Sequence, residues 1–197
     1  MASPFDPRSP ADVTALVRDY PLCWLVSGGG GNRRATPLPL LPEVDDRGGV
    51  RSLFGHIALK NPQRAELERD RRATVLCMGP QGYISPRLVS NPTWGPTWNY
   101  AVTRFEVDVA FVPDETDEAL SRLAATLEAG TDDPWTTDRM GPRYDQLTRF
   151  IVAFRAVVRV AHPRFKLGQD ESPGTFEEIV SNLDDLHLAE WMRRARD

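Results

Sequence analysis

Residues that build metal sites and disulfide frameworks are scarce in this sequence. Its 197 residues include two cysteines and three histidines. Cys23 and Cys77 both lie in apolar runs, and no Cys-x-x-Cys spacing occurs, which excludes a zinc or iron–sulfur site built on paired cysteines. We expect both cysteines to be buried free thiols of a protein in a reducing compartment.

Membrane-spanning and nucleic-acid-binding patterns are missing as well. No apolar run approaches the ~20 residues of a transmembrane helix, and residues 1–10 lack the charged start and apolar stretch of an export signal. The formal net charge is −4, and acidic and basic residues are mixed along the chain without a basic stripe. This distribution argues against direct nucleic-acid binding. We therefore expect a cytoplasmic protein that contacts neither membrane nor nucleic acid.

The first half of the chain has apolar segments that are short and separated by turns. A helix is predicted from Pro10 to just before Tyr20, and a polar helix is predicted after Asn61-Pro62. The predicted strands are 23–27, 35–41, 50–59 and a continuously buried 73–78. A glycine-rich turn at 28–32 joins the first two strands, and residues 79–98 are expected to form a long loop that is interrupted by the short extended piece 83–85.

The second half has the clearest alternation of apolar and polar residues. Residues 100–111 predict a strand with inward-facing Ala101, Thr103, Phe105, Val107, Val109 and Phe111. The next predicted helix has a stripe, expected to be buried, of Leu120, Leu123, Ala124 and Leu127. Residues 151–162 predict a strand with inward-facing Val152, Phe154, Ala156, Val158 and Val160. Further helices are predicted near Pro142 and from Thr175.

Strands that come in hairpins, with helices inserted late, are typical of a β-barrel decorated by helices. A doubly wound α/β fold would need a regular alternation of strand and helix, which the first half does not have. The sequence therefore predicts a mainly β protein with helices (α+β). We expect one domain over residues 1–197, with a helical arm at about 174–197.

Five polar and aromatic segments stand apart from the core pattern. They are Arg-Ala-Thr-Pro-Leu-Pro (34–39), Gly-His-Ile-Ala-Leu-Lys-Asn-Pro (55–62), Gly-Pro-Gln-Gly-Tyr-Ile-Ser-Pro (79–86), Pro-Thr-Trp-Asn-Tyr (96–100) and Lys-Leu-Gly-Gln (166–169). In order and spacing, from about Tyr20 to Leu183, they resemble the PaiB-like family of FMN-binding negative transcriptional regulators. The resemblance implies an FMN-binding-type split β-barrel and a homodimer that holds a planar cofactor at its interface.

The chain departs from the family pattern at informative positions. Pro37 stands where the family usually has histidine, Leu59 and Lys60 replace an Arg-Ala pair, and Gly168 replaces serine. Cationic side chains commonly hold a flavin phosphate, so the loss of arginine at position 59 weakens the expectation of FMN. One branch of the family, the haem-dependent piperazate synthases, also resembles the chain. That resemblance implies haem b held by a histidine.

His56 is the one histidine inside a family motif, and we predict that it is the axial ligand of the haem iron. Phe54 and Ala58 share its side of the predicted strand and would give it an apolar setting. The alternative is a histidine that is hydrogen-bonded in or beside the core and has only a structural role.

Other residues of the motifs are candidates for the same pocket. The predicted cofactor-binding residues, besides His56, are Arg34, Ser85, Trp98, Asn99, Tyr100, Lys166 and Gln169. Trp98 and Tyr100 would form walls, Asn99 would give directional hydrogen bonds, and the cations would meet a propionate or phosphate. The predicted catalytic residues are Lys60, Tyr83 and Arg87. The alternatives are barrel-mouth packing for the aromatic residues and solvated positions for the charged ones.

The resemblance implies an enzyme that cyclises N5-hydroxy-ornithine, a small amino-acid-like substrate, to piperazate with loss of water. The same motifs leave open a PaiB-like FMN-binding regulator or a flavin-linked oxidoreductase.

Overall fold

The computed structural model describes residues 3–29 and 33–196. Within these ranges the chain forms seven strands and six α-helices. The strands are β1 (Leu22–Ser27), β2 (Arg34–Pro39), β3 (Leu41–Val44), β4 (Val50–Ala58), β5 (Arg72–Ile84), β6 (Thr97–Phe111) and β7 (Ile151–Lys166). The helices are α1 (Pro10–Asp19), α2 (Pro62–Arg69), α3 (Thr116–Leu127), α4 (Arg143–Thr148), α5 (Pro173–Asn182) and α6 (Leu186–Arg196).

All strands belong to one antiparallel sheet with the order β2-β1-β5-β6-β7-β4-β3. β2 and β3 lie at opposite edges of this order, yet only Leu40 separates them in the chain. The sheet must therefore curl until its two edges approach each other. The result is a barrel that is not closed by a ladder between the described edge strands, which confirms the predicted mainly β split barrel with helices.

Local sequence explains where the helices begin. Ser9 precedes α1, and its backbone N–H donates to Asp12 Oδ2 at 2.8 Å. Asn61 precedes α2, and its side chain accepts a hydrogen bond from the Gln63 N–H at 2.9 Å. Both helices have proline in the first turn, as predicted.

The main core lies inside the curled sheet. The inward residues Ala101, Thr103, Phe105, Val107 and Val109 of β6 are between 0% and 4% exposed, which confirms the predicted alternation. Helices α1, α5 and α6 contribute buried side chains to the same cluster, including Leu16, Phe176 and Trp191. The predicted C-terminal arm is thus part of the core, where each buried large apolar side chain stabilises the fold by about 1.5–3 kcal/mol.

Two predicted strand patterns are wrong in detail. β5 is not continuously buried, because Leu76 and Met78 point outward between buried neighbours. It also continues through residues 79–82, which the sequence predicts as loop, after a bulge between Met78 and Gln81. Tyr83 pairs with Trp98, which confirms the predicted extended conformation at Tyr83. In β7, a bulge shifts the register opposite Glu106 and Val107, so Val160 is exposed and not inward.

The prediction of two free thiols is also wrong. Cys23 of β1 and Cys77 of β5 are joined by a disulfide between neighbouring strands, with Cα atoms 4.5 Å apart. Both residues are buried, as expected. The pairing of β1 with β5 places the two side chains opposite each other, and this register could not be read from the sequence.

The structure tests two further expectations only in part. No helix of the described ranges is long and apolar enough to cross a membrane, and the cytoplasmic location stays a prediction. The glycine-rich turn begins at Gly28, whose positive φ of 85° suits glycine. Its residues 30–32 lie outside the described residues.

Candidate functional site

His56 lies on the outward face of β4. Leu53 and Ile57 of this strand point into the main core, whereas Phe54, His56 and Ala58 alternate with them and point outward. Gly55, just before His56, faces the corner where β2 runs into β3. A Cβ atom there would lie 2.9 Å from the Pro39 carbonyl oxygen and 2.6 Å from Leu40 Cδ2, so the close approach requires glycine.

The imidazole of His56 is partly buried and incompletely hydrogen-bonded. Its Nδ1 atom is buried, and no donor or acceptor in the described part of the chain contacts it. Burial lowers the pKa of His56, so the ring is neutral at neutral pH. A neutral imidazole is the form that ligates a metal, and one imidazole suffices for haem iron because the porphyrin supplies the other nitrogens. His56 therefore fits the role of axial ligand.

An ionic cluster beside His56 fixes α3 against β4. Glu43 Oε2 accepts a hydrogen bond from Arg155 Nε at 3.0 Å, and Glu43 Oε1 accepts one from Arg122 of α3, also at 3.0 Å. Both guanidinium groups stack on the Phe54 ring, with Cζ atoms 4.9 Å (Arg122) and 4.4 Å (Arg155) from its centroid. Burial alone would raise the pKa of Glu43, but hydrogen bonds from Arg155, Ser52 and Arg122 lower it to about 2.

An apolar cavity of about 540 Å³ opens between α3, α4 and the start of β7. Its lining consists of Leu120, Leu123, Ala124, Leu127, Glu128, Trp135, Thr137, Met140, Tyr144, Leu147, Thr148, Phe150 and Ile151. Leu127 is 57% exposed, Leu147 43% and Phe150 57%. The prediction that the α3 stripe is buried core is therefore wrong, since only Ala119 of this helix is fully buried. The stripe lines the cavity because no described element covers that side of the helix.

The cavity lies next to the outward face that carries His56. His56 pairs with Ala153 of β7, and Ala58 pairs with Ile151, which lines the cavity. Ile151 is thus the diagonal neighbour of His56 across the two strands, at a typical separation of about 7–8 Å. Lys60 is exposed in the turn after β4, and its neighbour Leu59 donates a backbone hydrogen bond to the Phe150 carbonyl at 2.8 Å. This places Lys60 near the cavity rim.

A second group of predicted residues meets at the other end of β7. Tyr83 and Trp98 are half-exposed ring neighbours on β5 and β6, with centroids 6.0 Å apart. Lys166 Nζ donates to the Trp98 carbonyl at 3.2 Å and to Thr97 Oγ1. Tyr100 is paired with Lys166 in the sheet, so the structure brings these four predicted residues together.

Several other predicted residues use their polar atoms within the protein. Asn99 is only 2% exposed, and its Nδ2 contacts Met192 Sδ at 3.5 Å. The Gln169 side chain accepts from the Leu167 N–H at 2.7 Å and donates to the Phe165 carbonyl at 2.6 Å. Ser85 caps the short helical turn Pro86–Leu88, in which Arg87 is exposed. Arg34 forms an ion pair with Glu66 of α2.

The structure does not bring His56 and the Trp98 group together within one protomer. His56 pairs with Ala153 near the start of β7, and Tyr100 pairs with Lys166 at the end of that strand. The two groups therefore lie at opposite ends of β7.

The cavity residues were missed by sequence reasoning. The available signal was the run of large apolar side chains that follows α3, at Trp135, Met140, Leu147 and Phe150, in a segment otherwise rich in polar residues. Amphipathic periodicity reveals that α3 has an apolar side, but it does not tell whether protein or ligand covers that side.

Comparison with known proteins agrees with the fold. The chain is 27% identical over 175 residues to the protease synthase and sporulation protein PAI 2 of Bacillus subtilis, covering 87% of this chain and 83% of that protein. A conserved hypothetical protein from Mycobacterium tuberculosis superposes with a TM-score of 0.61 at 18% identity, over 88% of this chain and 93% of its own. An FAD- and haem-binding protein from Mycobacterium smegmatis superposes with a TM-score of 0.58 at 14% identity, over 87% and 77% of the two chains.

The family model described as "Putative FMN-binding domain" matches residues 1–160, which is most of the chain. The curled sheet is the same fold that the two mycobacterial structures have. On this match, the chain belongs to the FMN-binding domain family and has its split-barrel fold.

Proposed function

We propose that the protein binds haem through His56 and is an enzyme that forms an N–N bond, as the resemblance to piperazate synthases implies. The observation that carries this proposal is the His56 imidazole itself, which is neutral, outward-facing and left with a buried, unpartnered Nδ1 atom. A buried polar atom without a partner is costly in a native protein, and such atoms are often retained for function. An FAD- and haem-binding protein shares the fold, which supports haem as the cofactor.

The proposed substrate is N5-hydroxy-ornithine. The α-amine nitrogen bonds to the side-chain nitrogen, the N–O bond breaks, and the hydroxyl group leaves as water, so the reaction involves no external oxidant or reductant. Bound haem would supply a Lewis-acidic iron that polarises the N–O bond. His56 would hold the cofactor, and the exposed Lys60 ammonium at the cavity rim would pair with the substrate carboxylate. Apolar side chains around the site would keep bulk water away and orient the flexible substrate for ring closure.

The absorbance spectrum of the protein as isolated, or after addition of haem, tests the cofactor. We expect a Soret band whose position reports histidine ligation, and we expect His56→Ala to lose that signature. His162→Ala is the matched control, because the exposed His162 ring contacts Glu106 on another part of the sheet. A ligated spectrum that persists in His56→Ala would refute the assignment.

Incubation of the haem-loaded protein with N5-hydroxy-ornithine tests the reaction. We expect a product lighter by one water that has a secondary hydrazine N–N bond, detected by mass spectrometry and nitrogen NMR. Recovery of unchanged substrate by a protein with an intact ligated spectrum would remove the N–N bond-forming activity and leave the haem assignment standing.

A second candidate is an FMN-binding regulator or flavin-linked oxidoreductase, which the family match and the similarity to PAI 2 favour. Two observations count against this candidate. Leu59 stands where the family has an arginine that could hold the flavin phosphate, and Arg34 is already paired with Glu66. A yellow protein with a flavin spectrum and no Soret band would select this candidate over the haem enzyme.

We also propose that two copies of the chain associate. The outward faces of β1 and β5 expose Leu22, Trp24, Leu76 and Met78, and Trp24 pairs with Leu76 across the two strands. An exposed apolar patch of this kind marks an interaction surface. Sedimentation velocity should give a dimer for the wild type and a monomer for Trp24→Asp, with Leu186→Asp as a control that stays dimeric. A wild type that sediments as a monomer at all concentrations would contradict the association.

A further inference from the structure

The apolar cavity between α3 and α4 lies beside the proposed haem site, and His56 is not among the residues that line it. Its volume of about 540 Å³ lies within the range of roughly 300–1,000 Å³ that small-molecule sites occupy. Leu127, Leu147 and Phe150 of its wall are exposed, and clustered exposed apolar side chains mark a place where another molecule binds. The cavity thus has the size and the lining of a separate site for a molecule with an apolar body.

The charge that this cavity carries is negative. Among the described residues of the lining, Glu128 alone is charged. It is half-buried directly after α3, and its Oε2 atom accepts a hydrogen bond from the Trp135 N–H at 3.3 Å. An ionised carboxylate has two oxygens with about four acceptor positions. Glu128 can therefore accept a further hydrogen bond from a ligand in the cavity.

Three aromatic rings share the cavity with this carboxylate. Trp135, Tyr144 and Phe150 line its wall. The face of an aromatic ring attracts an organic cation, and clustered rings form the cages that recognise substituted ammonium groups. The Tyr144 hydroxyl donates to Asp117 Oδ1 at 2.7 Å, which holds this ring in place and satisfies its polar end outside the cavity lining.

The segment that builds the cavity is acidic as a whole. Residues 114–150 contain nine acidic and four basic side chains, a formal charge of −5 in a chain whose total is −4. Burial, the hydrogen bond to Asp117 and the nearby carboxylates of Asp138 and Asp145 raise the pKa of Tyr144 to about 12. The negative potential of the segment therefore reaches the wall of the cavity, where it favours a positive ligand.

An anionic occupant such as a fatty acid finds little support in the same surroundings. Lys60 near the rim is exposed and does not belong to the lining. Arg122 of α3 is already bonded to Glu43 and Glu118. A carboxylate in the cavity would thus meet the charge of Glu128 without a lining cation to offset it.

We propose that the cavity binds a small hydrophobic organic cation, which is an apolar chain or ring that carries one amine or quaternary ammonium group. The apolar body contacts Leu120, Leu123 and Leu147, and the ammonium group lies against the aromatic rings and pairs with Glu128. Neither haem nor His56 takes part in this binding. The site is therefore independent of the proposed function.

Three compounds of one shape separate charge from hydrophobicity. Phenylbutylamine, phenylbutanol and phenylbutyrate share a ring and a chain, and at neutral pH they are positive, neutral and negative. Isothermal titration calorimetry of the full-length protein should show saturable binding of the amine, about five- to tenfold tighter than that of the alcohol. The acid should bind more weakly than the alcohol. Added salt should reduce the preference for the amine, because it screens a partly exposed ion pair.

Glu128→Gln tests the carboxylate, since it keeps an acceptor for the Trp135 N–H and removes the charge. The affinity for phenylbutylamine should fall to that of phenylbutanol, and the affinity for phenylbutanol should stay unchanged. Glu177→Gln is the matched control, because Glu177 is exposed on α5 and does not line the cavity. Trp135→Leu should weaken amine binding by about threefold and alcohol binding less, because it removes a ring and keeps the wall apolar. Thermal melts establish that the variants are folded.

Several outcomes would overturn the inference. Phenylbutyrate that binds as tightly as phenylbutylamine, or Glu128→Gln with unchanged amine affinity, would show that Glu128 does not select a cation. A shift of the haem Soret band on addition of the amine, or amine binding that is lost in His56→Ala, would place the amine at the haem site. If the wild type does not bind the amine and Leu127→Asp changes the sedimentation coefficient, a second copy covers the cavity. Failure of the haem assignment, by contrast, leaves the amine titrations unchanged.

Discussion

Residues of the family motifs lie beside both ends of β7, but their polar groups are satisfied at one end and not at the other. At the Trp98 end, Asn99, Lys166 and Gln169 all contact neighbouring protein atoms. At the His56 end, a buried ring nitrogen has no partner within the described ranges, and a large apolar cavity stands open beside it. Residues of one family pattern thus differ in whether the surrounding protein satisfies their polar groups, and among the described residues only the His56 end leaves a buried polar atom available for a ligand.

The largest expected effect concerns the ionic cluster that holds α3 over β4. Glu43→Ala leaves Arg155 and Arg122 without their shared carboxylate, and we expect the unfolding free energy to fall by roughly 3–5 kcal/mol, measured by urea denaturation. Glu66→Ala is the control, because it removes the partner of Arg34 from an ion pair that is more exposed. It should lower the unfolding free energy by about 1 kcal/mol or less. Equal losses in the two variants would contradict this account.

The next effect concerns the disulfide on the opposite side of the sheet. Cys23→Ser with Cys77→Ser removes a cross-link that spans 54 residues, and we expect a loss of roughly 2–4 kcal/mol relative to the oxidised wild type. The double variant should also be insensitive to reductant, whereas the melting temperature of the wild type should drop on reduction. Haem ligation should stay unchanged in both, since the two cysteines point into the main core and His56 lies on the outward face of β4. A change in the spectrum of the ligated haem would contradict the expectation that the disulfide does not affect the surroundings of His56.

A smaller effect is expected from Gln169 at the Trp98 end. Gln169→Ala leaves the Leu167 N–H and the Phe165 carbonyl without their partner, which should cost roughly 1–3 kcal/mol. Calorimetry measures the loss, and haem titration of the same variant should match the wild type. A variant with unchanged stability and weakened haem binding would show that Gln169 serves the ligand and not the barrel.

The smallest effect is the pH dependence that His56 adds to stability. Its pKa in the folded state lies below the ordinary value of about 6.5, so at pH values under 6.5 the unfolded state binds more protons than the folded state. Stability from this residue is therefore fully present above about pH 6.5 and is lost as the pH falls toward the folded pKa. Urea midpoints between pH 7.5 and 5 should fall less steeply in His56→Ala than in the wild type. Parallel profiles in the two proteins would contradict the burial of the ring.

Much of the barrel could be predicted because it depends on short-range patterns. The strict alternation of residues 100–111 identified the inward face of β6, and Ser9-Pro10 and Asn61-Pro62 marked two helix starts correctly. The extent of β5 could not be predicted, because Gly79 and Pro80 look like loop residues. The bulge between Met78 and Gln81 accommodates them within the strand.

The site was predictable only in fragments. His56 was found through a family motif, whereas its free Nδ1 atom and the neighbouring cavity follow from how α3 packs across β4 and β7. The family motifs group His56 with Trp98 and Lys166 around a cofactor at an interface between two copies. Within one copy the sheet register places them at opposite ends of one strand, so the grouping stays a prediction. The disulfide was missed for a related reason, since it depends on which residue of β1 lies opposite Cys77. Register between distant strands is a property of the assembled sheet and leaves no local mark in the sequence.

The single residue that joins β2 to β3 has a mechanical consequence. Leu40 links the end of β2 to the start of β3. At this corner of the sheet the two edge strands can therefore separate only as far as one residue allows. Leu40 is fully buried, and it rests on the backbone of Gly55, the residue that immediately precedes the iron-binding candidate. A methyl group at position 55 would overlap Leu40 Cδ2 and the Pro39 carbonyl oxygen, so Gly55→Ala must displace either this joint or the β4 backbone next to His56.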